Sequence, residues 1–188
     1  MSDNSIARKP IHNRQIHCQG FLREDGLWDI EATLEDRKAY DFPTLERGLL
    51  AEGDLVHQMF LRLTVNDELI IQDVEAKTLV APFSICPEIT GNFKRLIGLK
   101  IGRGWRNLVR GRLGGVDGCT HLIEMLWPMA TVAVQTIYPY RNSTGDGRFP
   151  MTPGLLNSCH GFGEDNEVVQ RFWPEIAGQA GDAPDGES

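Results

Sequence analysis

The sequence predicts an α+β domain: a small antiparallel β-sheet of N-terminal hairpins backed on one face by C-terminal helices. Three observations carry this. Alternating apolar and polar residues, the period-2 mark of strands, fall in the first half of the chain. Apolar residues at helical spacing fall in the second half. The two kinds of segment do not interleave, as a doubly wound parallel sheet would require.

Residues 1–10 read as a flexible tail, and 11–174 as one domain. His12 to Glu24 is expected as a strand, Glu24-Asp25-Gly26 as a turn, and Leu27 to Leu34 as the returning strand. The charged stretch Glu35 to Gly53, which holds Pro43, reads as an irregular connection. His57 to Val65 alternates cleanly, and Asn66-Asp67-Glu68 turns it into a strand over Leu69 to Thr78. A three-residue loop would set Leu63 opposite Ile71 and put His57 on the face of Glu75. A two-residue loop would place them on opposite faces.

After Pro82 the period changes. Ile89, Phe93, Leu96 and Leu99 have roughly helical spacing, with Pro87 at the start. Gly98, Gly102 and Gly104 break the chain before a short helix from Trp105 to Leu113. A glycine-rich loop, Gly114 to Gly118, leads into the longest helical run, Cys119 to Ile137, which Pro128 should kink. Pro139 to Pro153 reads as a loop, and Asn166 to Phe172 as a last short helix. Residues 175–188 form an acidic tail expected to be disordered.

With 188 residues, 41% hydrophobic and 24% charged, the composition is that of an ordinary globular protein. No apolar run approaches the ~18 residues of a membrane span, and the start shows no hydrophobic signal region, so a cytoplasmic location is expected. A net charge of −7 argues against nucleic acid as a partner. The charge is uneven, however: from Ile89 to Val116 there are seven basic residues and no acidic one. Such a patch suits a small anionic organic substrate or an acidic partner; the plain alternative is a solvated helix face. A homo-oligomer is compatible with all of this.

Chemistry is concentrated in a few places. Cys119 falls at a helix N-terminus, where free amides favour a thiolate, and His121 and Glu124 follow on one helix surface. An imidazole steered by a carboxylate is the usual equipment for proton transfer. Asp73 and Glu75 share a strand face, with His57 and Arg62 as nearest partners. The expected catalytic set is therefore His57, Glu75, His121 and Glu124, with Arg103, Arg106 and Arg110 holding an anion. Cys86 and Cys119 are the candidate metal ligands, for zinc or iron acting as a Lewis acid. Cys159-His160 is a further soft pair, and Gly114 to Gly118 resembles an anion cradle without the lysine and strand of a phosphate loop.

The segments 25–31, 61–64, 73–78 and Gly118-Cys119-Thr120-His121-Leu122 together resemble a bacterial family of uncharacterised proteins, over about Ile11 to Pro174. More distantly, Val65 to Asp73 and Lys77-Thr78 resemble the second hairpin of the NifU-type iron–sulfur scaffold. There a ligand cysteine follows the hairpin, as Cys86 does here, and another begins a long helix, as Cys119 does. That likeness implies a small antiparallel sheet backed by helices. It departs at Pro87, at the spacing of Cys86 and in the placement of His121 after the cysteine. The leading expectation is a small enzyme of lyase or isomerase type, using acid/base and metal-assisted chemistry on an anionic carbonyl or aromatic compound. A metal- or cluster-handling carrier and a non-catalytic adaptor are the alternatives.

Overall fold

The computed structural model describes residues 6–142 and 155–176. The chain forms two compact units, Met1–Ile137 and Tyr138–Ser188; the domain expected over 11–174 spans both.

In the first unit, β1 (His12–Leu22), β2 (Trp28–Lys38), β5 (Leu55–Val65) and β6 (Ile71–Val80) form an antiparallel sheet in the order β1-β2-β5-β6. The predicted Asp-Gly turn joins β1 to β2. Gly26 takes φ 82°, a region closed to most side chains, and the Asp25 carboxylate accepts from the Leu27 amide at 3.3 Å. Trp28, Ile30, Ala32 and Leu34 are buried on the inner face, with Met59, Leu61 and Leu63 of β5 beside them.

Two boundaries differ from the sequence reading. Strand β2 does not stop at Leu34 but continues to Lys38. The connection that follows also carries a two-stranded hairpin, β3 (Phe42–Thr44) with β4 (Gly48–Leu50). Charged residues hid the end of β2, because Glu35 to Lys38 alternate across the sheet without any apolar member.

The central hairpin takes neither proposed register. Leu63 faces Val74 and Arg62 faces Glu75. The turn is longer than expected because the Asn66 side chain accepts from the amides of Glu68 and Ile70, at 3.1 and 2.9 Å. A bulge at Thr64/Val65 then adds a residue to β6. Leu69, buried at φ 64°, and Ile71 bond on their other edge to Leu99 and Ile101.

Cys86–Leu96 folds as 3₁₀ turns, not the helical run its spacing suggested. Helix α1 (Trp105–Leu113) appears as predicted. Helix α2 (Thr120–Asn142) runs unbroken through Pro128 and takes in residues 139–142, the start of the predicted loop; the rest of that loop lies outside the described residues. The tails expected at 1–10 and 175–188 also fall mainly outside the described residues.

Two contacts lay α2 along β1. Arg14 pairs with Glu124, and a Cβ added to Gly20 would meet Thr136 Oγ1 at 2.1 Å. Six strand residues span ~20 Å and twelve helical residues ~18 Å, so the two elements run side by side over this stretch. Leu122, Met125, Leu126, Met129 and Ala133 are buried on α2. Gly20→Val is expected to destabilise the unit by about 1–3 kcal/mol through overpacking. Thr136→Ala in the same chain should recover most of that loss in urea denaturation.

In the second unit, α3 (Glu167–Phe172) begins at Asn166, whose side chain accepts from the Val168 amide at 3.0 Å. Phe162 and Phe172 pack edge-on against Trp173.

Candidate active site

The site grows out of one residue that breaks the pattern of β2. Every second residue from Trp28 to Leu34 is apolar and buried; the next on that face is Asp36, only 1% exposed. An unpaired buried carboxylate would be costly, and here it is paired. The Arg14 guanidinium, across the strand pair on β1, donates from Nε to Oδ1 at 2.8 Å and from Nη2 to Oδ2 at 2.7 Å. The other Arg14 nitrogen reaches Glu124 on α2.

On the opposite side of β2, His57 of β5 is the strand partner of Asp36. Its Nδ1 lies 2.9 Å from Asp36 Oδ2. A bulge directly beyond this pair, at Asp36/Arg37, re-aims the strand end. Helix α2 brings His121 from above: Nε2 is 3.8 Å from the same Oδ2, and the two imidazole rings stack with centroids 3.9 Å apart. His12 Nε2 approaches Asp36 Oδ1 at 3.4 Å.

Burial alone would push the Asp36 carboxyl up. The Arg14 hydrogen bond and charge, with the nearby His57 and His12, outweigh it and hold the group below the ordinary carboxylate range. Burial lowers His57, the neighbouring His121 lowers it further, and Asp36 opposes only in part. Burial also lowers His121, with Arg14 adding to the effect. Both imidazoles are therefore biased toward the neutral form, the one that accepts a proton or a metal.

The sign of the pH dependence follows. Imidazoles that are harder to protonate when folded let the unfolded chain bind more protons. Stability should therefore fall as pH drops through ~6.5 and on to the depressed folded values. Asp36 acts in the same direction in a lower window: its contribution is complete above its unfolded value and is lost as pH falls through its depressed folded value. Urea midpoints measured from pH 8 to pH 3 should show two acid losses. A His57→Gln, His121→Gln double variant should flatten the upper one.

These groups floor a cavity of about 410 Å³. Its other walls are apolar: Phe42, Pro43 and Leu45 from the β3–β4 hairpin, with Val56, Pro82 and Phe83. Lys38 also lines it, with Nζ 5.4 Å from the centre of the Phe42 ring. This volume suits a ligand of one ring or a short chain.

Of the residues singled out from the sequence, His57 and His121 come together here. Glu124 joins indirectly, through Arg14. Glu75 does not: it points from the outer face of the sheet, paired with Arg62 at 2.7 Å and Lys77 at 2.6 Å. Asp73 is on that outer face too, bonded to Lys94. Arg103, Arg106 and Arg110 are exposed at and on α1, away from the cavity lining, and Arg106 covers the Trp127 ring. Lys38 is the cation that the cavity has instead.

Cys119 is half-buried with Sγ 3.9 Å from His121 Nδ1; Cys86 is half-buried where the 3₁₀ segment begins. Among the described residues, the metal-capable cluster is Asp36, His57 and His121, whose ligand atoms lie within 4.8 Å of one another; it includes no cysteine. Cys159 is exposed in the second unit, as is His160. Gly114 and Gly118 have a packing reason, since a Cβ there would run into the Arg110 and Leu113 carbonyl oxygens, and Gly115 has a conformational one, its φ of 62°.

Asp36, Arg14, His12 and Lys38 went unnoticed in the sequence. One signal was there: Asp36 continues the apolar phase of β2, and a charge in that phase needs a partner.

No helix among the described residues is long and apolar enough to cross a membrane. No curated protein and no solved structure matches the chain, so the likeness to the NifU-type scaffold gains no support. A family profile does match residues 12–135, which hold the sheet and every residue of the cavity floor. The chain belongs to the family described as Protein of unknown function (DUF2889).

Proposed function

We propose that this protein is a cytoplasmic enzyme of lyase or isomerase type that moves protons on a small anionic carbonyl or aromatic compound. One observation carries the reading: a buried carboxylate, already neutralised by Arg14, touches an imidazole at the floor of an otherwise apolar cavity. Asp36 accepting from His57 Nδ1 fixes the tautomer and leaves Nε2 as the base. The His57 imidazolium so formed can return that proton to the substrate, and neutral His121, stacked on it, can donate a hydrogen bond to the substrate's oxygen. The apolar wall suits the substrate's ring or chain, and Lys38 suits its anionic end.

The test uses single-ring aromatic and 2-oxo carboxylic acids with the full chain. Saturable binding should shift the NMR signals of His57 and His121, and Lys38→Met should weaken it by about tenfold. In D₂O, a bound 2-oxo acid should exchange hydrogen for deuterium at the carbon next to its carbonyl. Binding that leaves both imidazole signals unmoved, or no binding across the panel, sinks the proposal.

A further inference from the structure

We infer that Asp36, His57 and His121 form a three-ligand site for a divalent first-row transition-metal ion at the floor of the cavity. The inference rests on the same cavity as the reading above, but when metal is bound the two imidazoles serve as its ligands and the Lewis acid takes over the activation of substrate.

Two imidazoles from different elements, a strand and a helix, converge on a single carboxylate oxygen. His57 Nδ1 is 2.9 Å from Asp36 Oδ2 and His121 Nε2 is 3.8 Å from it. The second distance is too long for a hydrogen bond: His121 is held by α2 and by its stack on His57, which leaves a gap between it and Asp36 that a shared cation would fill. Ligand atoms ~2.1 Å from a metal in a tetrahedral or octahedral shell sit about 3.0–3.4 Å from one another. The two spacings to Asp36 Oδ2 bracket that range and all three ligand atoms lie within 4.8 Å of one another, so side-chain movement of about an ångström closes the site. On loading, His57 would keep its one proton by carrying it on Nε2, and Nδ1 would face the metal.

Arg14 is divided between Asp36 and Glu124, so one guanidinium is shared by two carboxylates, and Lys38 is the other cation of the cavity wall. Arg14 meanwhile fixes the Asp36 carboxylate from behind, as hydrogen-bonded partners do for ligating carboxylates. Two neutral nitrogens and one oxygen favour zinc, iron(II), cobalt(II) or manganese(II) over calcium, and with no thiolate the set is not one for an iron–sulfur cluster. All three ligands line the cavity, so the remaining coordination positions face the space a substrate would fill.

The full chain, freed of metal by chelator and gel filtration, should be titrated with cobalt(II) chloride. One equivalent should bind saturably, with a visible d–d band, no thiolate charge-transfer band and competition by zinc. His121→Gln and His57→Gln should each weaken binding at least tenfold, while Cys86→Ser and Cys119→Ser leave it unchanged. Circular dichroism of the metal-free variants checks their fold. Should Asp36→Asn fail to fold, half-exposed His121 still decides. No saturable binding, binding that ignores His121→Gln, or a thiolate band lost in Cys119→Ser overturns the site. Organic-acid binding that shifts His57 without any cobalt site leaves the acid/base reading standing alone. Cobalt binding with no organic ligand in the panel does the reverse.

Discussion

Asp36→Ala is expected to cost the fold about 3 kcal/mol, the low end of the range for breaking a buried ion pair. The loss comes less from the missing attraction than from what is left behind. Arg14 has been drawn against the inner face of the sheet by two hydrogen bonds to this carboxylate, and His57 donates to it as well. Arg14 keeps some contact with water and its bond to Glu124, which holds the cost to the lower end. If orphaning is the cause, removing both partners should cost less than removing one. Asp36→Leu continues the apolar run of Trp28, Ile30, Ala32 and Leu34, and Arg14→Leu faces it across the strand pair. Urea denaturation of the two single variants and the double variant closes the cycle. A double variant less stable than Asp36→Leu alone would mean that the pair itself, not its orphaned half, holds the strands.

His57→Gln should lower turnover of any compound the cavity processes by about 10²- to 10⁴-fold, the usual contribution of a positioned acid or base. Glutamine keeps a hydrogen-bond donor within reach of Asp36, so the strand pairing and the urea midpoint should change little. The informative control is Glu75→Gln. Its carboxylate is on the outer face with Arg62 and Lys77, and its loss should leave turnover within about twofold and stability within about 0.5 kcal/mol. Equal loss of turnover in both variants would move the chemistry away from the Asp36 cavity.

The parts of the fold that were legible in the sequence are those written in local chemistry. Asp25-Gly26 makes its turn, β5 alternates, α1 begins and ends where its spacing says, and Asn166 caps α3. What was illegible depends on partners far along the chain. Strand β2 runs on to Lys38 because Asp36 finds Arg14 and His57, and neither pairing can be seen from residues 35–38 alone. The hairpin register depends on an Asn66 side chain standing in for backbone acceptors, a contribution that loop length does not express. The site divides the same way. His57 and His121 stood out as residue types suited to proton transfer. Their common centre was hidden because β2 and β5 meet only after the chain has gone out through the β3–β4 hairpin and returned. The basic run around α1 was conspicuous in composition, yet it is exposed away from the cavity lining.

Because the sheet is finished at Val80, while α2 begins only at Thr120, the ribosome releases the cluster in two instalments. Guanidinium, carboxylate and the strand-borne imidazole can assemble first, in water, where an ion pair is cheap and a bare charge harmless. His121 and Glu124 join them only with α2, and in the finished fold Asp36 is buried. A nascent chain stalled in the glycine-rich linker between α1 and α2 would thus carry a hydrated, uncommitted version of the cluster. Docking of α2 would then be the step at which a hydrated salt link becomes a buried one.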